Sequence, residues 1–171
     1  MRAIIFFLAL ALAAREARAD ETTRMLAQSG AWGAMAHSPS ELARPDVCMA
    51  MNVSAKFMLR MDTTTFEIRL SDPSWSLPAN ALGTIKVQIG SYNHTFDSES
   101  LNSTVVTADV GSLFIVPLLD ALGAGDVALV TVGKEQPRRV SLNGSAPVLN
   151  ALRTCGGIPG TTKGGGSNPF E

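Results

Sequence analysis

The stretch "SLNGSAPVLNALRTCGG", residues 141–157, decides how this chain is expected to fold. It predicts a short helix, with Ser145 in the N-cap position and Gly156 as the C-terminal stop. The apolar side chains of this segment recur at helical spacing on one face, namely Val148, Leu149, Leu152 and Cys155. Because Cys155 shares that face, its sulfur is expected to be buried against the sheet on which the helix packs.

Cys48 is the other of the two cysteines in the chain, and it lies in the alternating run "VCMAMNV". An even pair of cysteines in an oxidising compartment is more often bonded than free. We therefore predict one disulfide, between Cys48 and Cys155, that joins the last helix to an early strand. The chain has no C-x-x-C motif, and two distant cysteines are too few to hold a metal ion, so we predict no metal and no cofactor.

The N-terminal segment has the basic, apolar and small-residue order of a cleavable signal peptide. Arg2 precedes the apolar run "AIIFFLALALAA", and "ARA" ends at Ala19, where we place the cleavage site. The run is shorter than the roughly 20 residues that a spanning helix needs, so no membrane anchor is expected after cleavage. A short signal peptide and a composition rich in Ala and Gly favour a bacterial protein, located in the periplasm or outside the cell.

Charge argues against nucleic acid as a partner. The chain carries 14 basic and 15 acidic residues, and the predicted signal peptide holds three of the arginines but only one of the glutamates. The remaining chain is therefore net acidic, whereas nucleic-acid binding relies on basic surface.

Composition divides the chain into four parts. Residues 1–19 are the predicted signal peptide, residues 20–30 a mobile lead-in, residues 31–155 one β-rich domain, and residues 156–171 a Gly-rich flexible tail. The tail, "GGIPGTTKGGGSNPFE", contains too little apolar surface to offset the entropy cost of ordering it.

Short runs of apolar and β-branched residues, bounded by turn-forming residues, predict the strands of this domain. The runs are "VCMAMNV", "KFMLRM", "TFEIRL", "GTIKVQIG", "STVVTADV", "DVALVTVG" and "RRVSLNG". A further segment, "PLLDALGAGD", predicts a helix with Pro117 in its first turn and Gly123 at its end. We predict a mainly β fold, an antiparallel β-sandwich or open barrel of about seven to nine strands with two short helices.

Two histidines, His37 and His94, are the candidates for a general base near neutral pH. Both lie in stretches that read as loops, "AHSPSE" and "SYNHTF", and neither belongs to a hydrolase or metal-binding motif. We interpret them as surface histidines and predict no catalytic residue.

Four residues form a candidate partner patch: Arg138, Arg139, Trp32 and Trp75. The two arginines, in "EQPRRVSLNG", could bind an anion or a partner, or could simply form a solvated face next to Glu135. The two tryptophans could form a ligand platform, or could belong to the core as sparse aromatic residues in β domains often do.

The order of features resembles that of small exported proteins of alphaproteobacteria, including the invasion-associated locus B family. The features are a signal peptide, Trp32 ahead of Cys48, a β-rich body, and the strand, Gly-Ser turn and short helix of "VSLNGSAPVLNALRTC". The resemblance spans about residues 31–155. It implies a periplasmic or surface role linked to host association, and it supplies no catalytic residue.

We therefore predict a non-enzymatic exported protein that binds another protein or an envelope component. The alternative is a small secreted hydrolase, or an inhibitor-like ligand-binding domain, with a site built from loops. A histidine within hydrogen-bond reach of a serine in a cleft would favour the hydrolase. An exposed sheet edge or a contiguous apolar patch would favour the binding protein.

Overall fold

The computed structural model describes residues 21–159, so the predicted signal peptide, 1–19, and most of the predicted tail lie outside the described residues. Within this range, ten strands and two helices follow one another. Their bounds are β1 Thr22–Ser29, β2 Trp32–Ser38, β3 Val47–Asn52, β4 Phe57–Met61, β5 Phe66–Ser71, β6 Leu82–Ile89, β7 Tyr92–Asn102, β8 Val105–Asp109, α1 Ser112–Ala124, β9 Val127–Val132, β10 Arg138–Ser141 and α2 Ser145–Gly156.

All ten strands belong to one antiparallel sheet, in the order β1-β2-β3-β4-β5-β8-β7-β6-β9-β10. Short turns connect several neighbouring strands, and Gly30 and Gly90 adopt the positive φ angles that the β1–β2 and β6–β7 turns require. No ladder joins β1 to β10 within residues 21–159, so the sheet remains open. The predicted mainly β, antiparallel architecture with two helices and one disulfide is confirmed.

The sheet curls around a single core. Alternate residues of the strands face inward and form one cluster, to which β4, β5 and β6 contribute Phe57, Leu59, Phe66, Ile68, Leu70, Ile85, Val87 and Ile89. The two ends of the sheet meet through side chains. The Trp32 indole N–H and the Asn52 amide donate hydrogen bonds of 2.8 and 3.0 Å to the carbonyl oxygen of Ser141. This joins β2 and β3 to β10.

Three strands were not predicted, which is why the count exceeds seven to nine. The prediction of a mobile lead-in over residues 20–30 is wrong, because Thr22–Ser29 forms β1 and pairs with β2. The inward positions of β2 include Ala34 and Ala36, and those of β7 include Ser98 and Ser100. Small or hydroxylic residues at inward positions conceal the apolar alternation by which strands are recognised.

Helix α1 is longer than predicted. It begins at Ser112, so Pro117 lies inside the helix rather than in its first turn, and it ends at Ala124. A proline at this position removes one backbone hydrogen bond, and the apolar helix retains its place through the burial of Leu118, Leu119 and Leu122. No helix within residues 21–159 is both long enough and apolar enough to cross a membrane.

Helix α2 differs from the prediction at both ends. Gly144, in the left-handed conformation, is the N-cap, and Ser145 is the first helical residue. The Ser145 hydroxyl is buried and donates a 2.8 Å hydrogen bond to the carbonyl of Leu122. Gly156 is the last residue of the helix rather than a residue of the tail, and Gly157 provides the left-handed C-cap.

The predicted disulfide is present. It joins Cys48 on β3 to Cys155 on α2 across 107 residues, with a distance of 6.0 Å between the Cα atoms. The buried face of α2, formed by Val148, Leu149 and Leu152, packs on the inner side of β1, β2 and β3. Cys48 is buried, whereas Cys155 is half-buried, so the predicted burial of Cys155 is only partly realised.

Replacing both Cys48 and Cys155 with Ser should lower the free energy of unfolding by about 2–5 kcal/mol, because the bond restricts a long loop of the unfolded chain. Denaturant titration measures the loss. Reductant should cause a similar loss in the wild type and none in the variant. Two reactive thiols in unfolded, non-reduced wild type would contradict the assignment.

Replacing Gly144 with Ala should destabilise the fold more than replacing Gly133 with Ala. Both glycines have positive φ, so each substitution should cost about 1–2 kcal/mol of backbone strain. A methyl group at Gly144 would also lie 2.6 Å from the carbonyl oxygen of Ser29, while one at Gly133 meets nothing within 4 Å. Equal losses in a denaturant titration would show that the close contact with β1 is unimportant.

Candidate functional site

The candidate partner patch does not exist as one surface. Trp32 is 1% exposed, contacts Phe57 edge-on and donates its indole hydrogen bond to Ser141. It is a core residue, and its assignment to a partner patch is wrong. Its inward-facing position at the start of β2 places it in the core cluster.

Trp75 and Arg138 do come together. The Arg138 guanidinium lies 5.3 Å from the centre of the Trp75 ring, and it donates hydrogen bonds to Asp72 and to the carbonyl of Ser71. The Trp75 indole donates to Glu135. The charge of Arg138 is therefore already matched by a carboxylate, and the cluster links β10 to the segment after β5.

Arg139 is separated from this cluster, because successive residues of a strand point to opposite faces of the sheet. Its side chain is exposed. Of the four predicted patch residues, the structure thus brings together Trp75 and Arg138 and leaves Arg139 and Trp32 apart from them.

The two histidines lie in strands rather than in loops. His37, on β2, forms a 2.8 Å hydrogen bond through Nδ1 with Asp46, and Glu21 lies 3.8 Å from its Nε2. The hydrogen bond with Asp46 raises the pKa of His37 above its ordinary value and lowers that of Asp46. Among residues 21–159, no hydrogen bond joins either histidine to a serine.

A cleft opens in the sheet where β7 diverges from β8. The two strands pair only between Glu99–Asn102 and Val105–Thr107, while the preceding half of β7 pairs with β6 alone. The space between this half of β7 and the strands β5 and β8 has a volume of about 600 Å³. One edge of β7, over residues 92–98, therefore has no neighbouring strand. We call this space the acidic cleft.

Four carboxylates line the acidic cleft, and no lysine or arginine does. Glu67 is bound by Arg69 at 2.6 Å and lies near Arg60, so its charge is balanced. The other three carboxylates are exposed and form no ion pair with the described residues; they are Asp97, Glu99 and Asp109. The cleft therefore presents net negative charge to solvent.

Asp97 and Glu99 lie two residues apart on the outer face of β7, and Asp109 is at the end of β8. Thr107 lies directly opposite Glu99, is 8% exposed, and has a buried hydroxyl oxygen without a hydrogen-bond partner among the described residues. A ligand in the cleft would meet the exposed carboxylates, whereas the Thr107 oxygen is buried. Within residues 21–159, no three His, Cys, Asp or Glu side chains are grouped so as to hold a metal ion.

Apolar groups occupy the two ends of the acidic cleft. At one end, the His94 ring packs between Phe96 and Phe114, with ring centres 4.5 and 4.0 Å away. At the other end, Leu82 is 87% exposed. The cleft was not predicted, because "SYNHTF" was interpreted as a loop and no strand was predicted over residues 92–102. The signal in that stretch was the alternation of outward Asp97 and Glu99 with inward Phe96 and Ser98.

Comparison with known proteins gives a weak structural likeness and no match to a family model. No curated protein matches the chain. The crystal structure of invasion associated protein B from Bartonella henselae is similar to this chain. The two are 16% identical, with 75% of this chain and 95% of that chain covered and a TM-score of 0.43. The resemblance is weak. No residue or activity is carried over from that structure to this chain.

Replacing Asp46 with Asn should lower the melting temperature at pH 5 and change it little at pH 9. Because the pKa of His37 is raised in the folded protein, protonated His37 contributes fully to the free energy of unfolding below its ordinary pKa of 6.5. That contribution is lost as the pH rises through the pKa of His37 in the folded protein. Because the pKa of Asp46 is lowered in the folded protein, ionised Asp46 contributes to the free energy of unfolding above its ordinary pKa of 3.8. That contribution is lost as the pH falls through the pKa of Asp46 in the folded protein. The pair therefore stabilises the fold between these two ordinary pKa values.

Thermal unfolding followed by circular dichroism provides the measurement, with Glu41→Gln as the control. Glu41 is an exposed carboxylate in the same β2–β3 connection. Equal losses for Asp46→Asn at both pH values would show that ionisation of His37 does not stabilise the fold.

Proposed function

We propose that this chain is a non-enzymatic exported protein that binds an extended, basic segment of a partner protein in the acidic cleft. The observation that carries the proposal is the edge of β7 over residues 92–98, which pairs with β6 on one side only. Unpaired backbone N–H and C=O groups on a strand edge are a template for an additional strand.

The charges around this edge select the partner. Asp97 and Glu99 are at alternate positions of β7 and project from the same face. An added strand along residues 92–98 could place a lysine or arginine opposite Asp97, because an extended segment has the same period of two residues. Glu99 is already opposite Thr107 of β8, so its carboxylate would attract the same basic segment from the neighbouring position. Asp109 adds a third negative charge from β8. The same charges repel phosphate-bearing envelope components, which favours a protein partner.

The ends of the cleft add apolar contact. Leu82 is exposed at one end, and Phe114 is 38% exposed at the other. Burial of such groups by a partner contributes roughly 25 cal/mol per Å² of apolar surface removed from water. The partner segment is therefore amphipathic, with basic residues on one face and apolar residues on the other or at its ends.

Export and the biological setting belong to the same proposal. A disulfide that closes a long loop is typical of proteins that fold in oxidising compartments, and its presence is compatible with export. We place the protein in the bacterial periplasm or at the cell surface, where a cleft for basic segments would serve attachment to another protein in association with a host.

A short fluorescent peptide that alternates lysine and valine should bind the oxidised protein, while a matched peptide alternating glutamate and valine should not. The triple variant Asp97→Asn, Glu99→Gln, Asp109→Asn should weaken binding about threefold or more, because each exposed ion pair contributes roughly 0.2–1 kcal/mol. Glu41→Gln should bind as the wild type does. Fluorescence anisotropy at low and high salt measures the affinities, and salt should weaken the wild-type complex.

Two further peptides separate strand addition from simple charge attraction. One peptide carries N-methyl groups at the odd-numbered residues and the other at the even-numbered residues. Because alternate N–H groups of a strand point to opposite edges, each peptide lacks the backbone donors of one edge. At least one of them should lose binding to the wild type. If both N-methylated peptides bind as tightly as the parent peptide, strand addition is wrong. If the triple variant binds the parent peptide as tightly as the wild type does, the acidic cleft is not the binding site.

A further inference from the structure

Five of the seven methionines lie on the outer face of one part of the sheet, formed by β1–β4. They are Met25, Met35, Met49, Met51 and Met58. The strand register places them side by side. Met35 is directly opposite Met25 on one side and Met49 on the other, and Met51 is opposite Met58. Side chains opposite each other in neighbouring strands have Cβ atoms about 4.5–5.5 Å apart.

These five side chains are not part of the core. The inward positions of the same strands hold Trp32, Ala34, Cys48, Ala50 and Leu59, and these residues belong to the core cluster. Met61 shows the contrast, because it packs against the core. Met25 is 57% exposed. Burial in the core therefore does not explain why this face carries thioethers rather than the polar side chains usual on the outer face of a sheet.

Gly33 forms the floor of a groove between three of the methionines. A methyl group built at Gly33 would lie 3.9 Å from the Met25 sulfur, so that sulfur lies above the glycine. Met51 is directly opposite Gly33 on β3, and Met35 is two residues further along β2 on the same face. The groove has a volume of about 240 Å³. We call it the methionine groove, with Met25, Met35 and Met51 as its sulfur-bearing walls.

The methionine groove has a distinct chemistry. Its lining contains no Lys, Arg, Asp, Glu or His, and Gln28 is its one amide side chain. Neutral thioether sulfurs are soft ligands, which select Cu(I) over Mg²⁺ and Ca²⁺ because those ions prefer oxygen ligands. Methionine has three rotatable side-chain bonds, which allow sulfurs on adjacent strands to converge on one ion.

We propose that the methionine groove binds a monovalent soft metal cation, Cu(I), through the thioethers of Met25, Met35 and Met51. The two cysteines are joined in the disulfide, and residues 21–159 contain no free cysteine, so no thiol in this range competes for the ion. The groove lies on β1–β3, whereas the acidic cleft lies between β7 and β5–β8. The two proposals are therefore independent.

Silver(I), which has the same charge and softness and does not change oxidation state in air, is the probe. With methionine methyl groups labelled with ¹³C, silver nitrate added to the oxidised protein in chloride-free buffer should shift the signals of Met25, Met35 and Met51, and that of Met61 should stay unchanged. Calorimetry should give one bound ion per chain. Cu(I) under ascorbate should reproduce the shifts, and Mg²⁺ should not.

The variant Met25→Leu, Met35→Leu, Met51→Leu preserves apolar volume and should remain folded. It should bind silver at least about tenfold more weakly, because the loss of even an outer-shell partner typically costs 10–100-fold in metal affinity. The single variant Met25→Leu changes the most exposed of the three methionines, so it should fold even if the triple variant does not. Met58→Leu, outside the groove, should bind as the wild type does. Unchanged affinity of the triple variant, or shifts confined to other methionines, would overturn the proposal.

Discussion

The carbonyl oxygen of Ser141 is the point at which the two ends of the sheet are held together. It accepts hydrogen bonds from the Trp32 indole and the Asn52 amide, both of which are almost fully buried. A single open sheet of ten strands would leave one face in water if it stayed flat. Because β10 is tied to β2 and β3, the inward residues of the strands share one core, and the loss of either donor would leave a buried acceptor less well satisfied.

Much of the fold could be predicted from the sequence because its central strands obey the simplest rule of β structure. Runs such as the one containing Ile85, Val87 and Ile89 alternate between core and solvent, and α2 shows the corresponding helical spacing. Strands β1, β2 and β7 could not be recognised in this way. Their inward positions include alanine, serine or polar residues, which are acceptable there because the opposing core is filled by Trp32, by α2 or by α1.

The candidate sites were harder to predict, since each depends on which strands become neighbours. Asp97 and Asp109 are close only because β8 lies between β5 and β7 in the sheet, an order that local pattern does not contain. The methionines on β1–β3 could be counted in the sequence, but their alignment depends on strand register. Arg138 and Trp75 were predicted to share one patch and do lie together, but Asp72 and Glu135 already bind their polar groups.

Three alanines on the inner face govern how near α2 can approach the sheet. Ala34, Ala36 and Ala50 are fully buried, and their strands β2 and β3 are among those on which the helix packs. A disulfide requires its two Cα atoms to lie within roughly 4.4–6.8 Å, and the observed separation is 6.0 Å. Larger side chains at these positions would move α2 away from the sheet. The disulfide between distant parts of the chain therefore depends on small side chains at three positions that take no part in the bond itself.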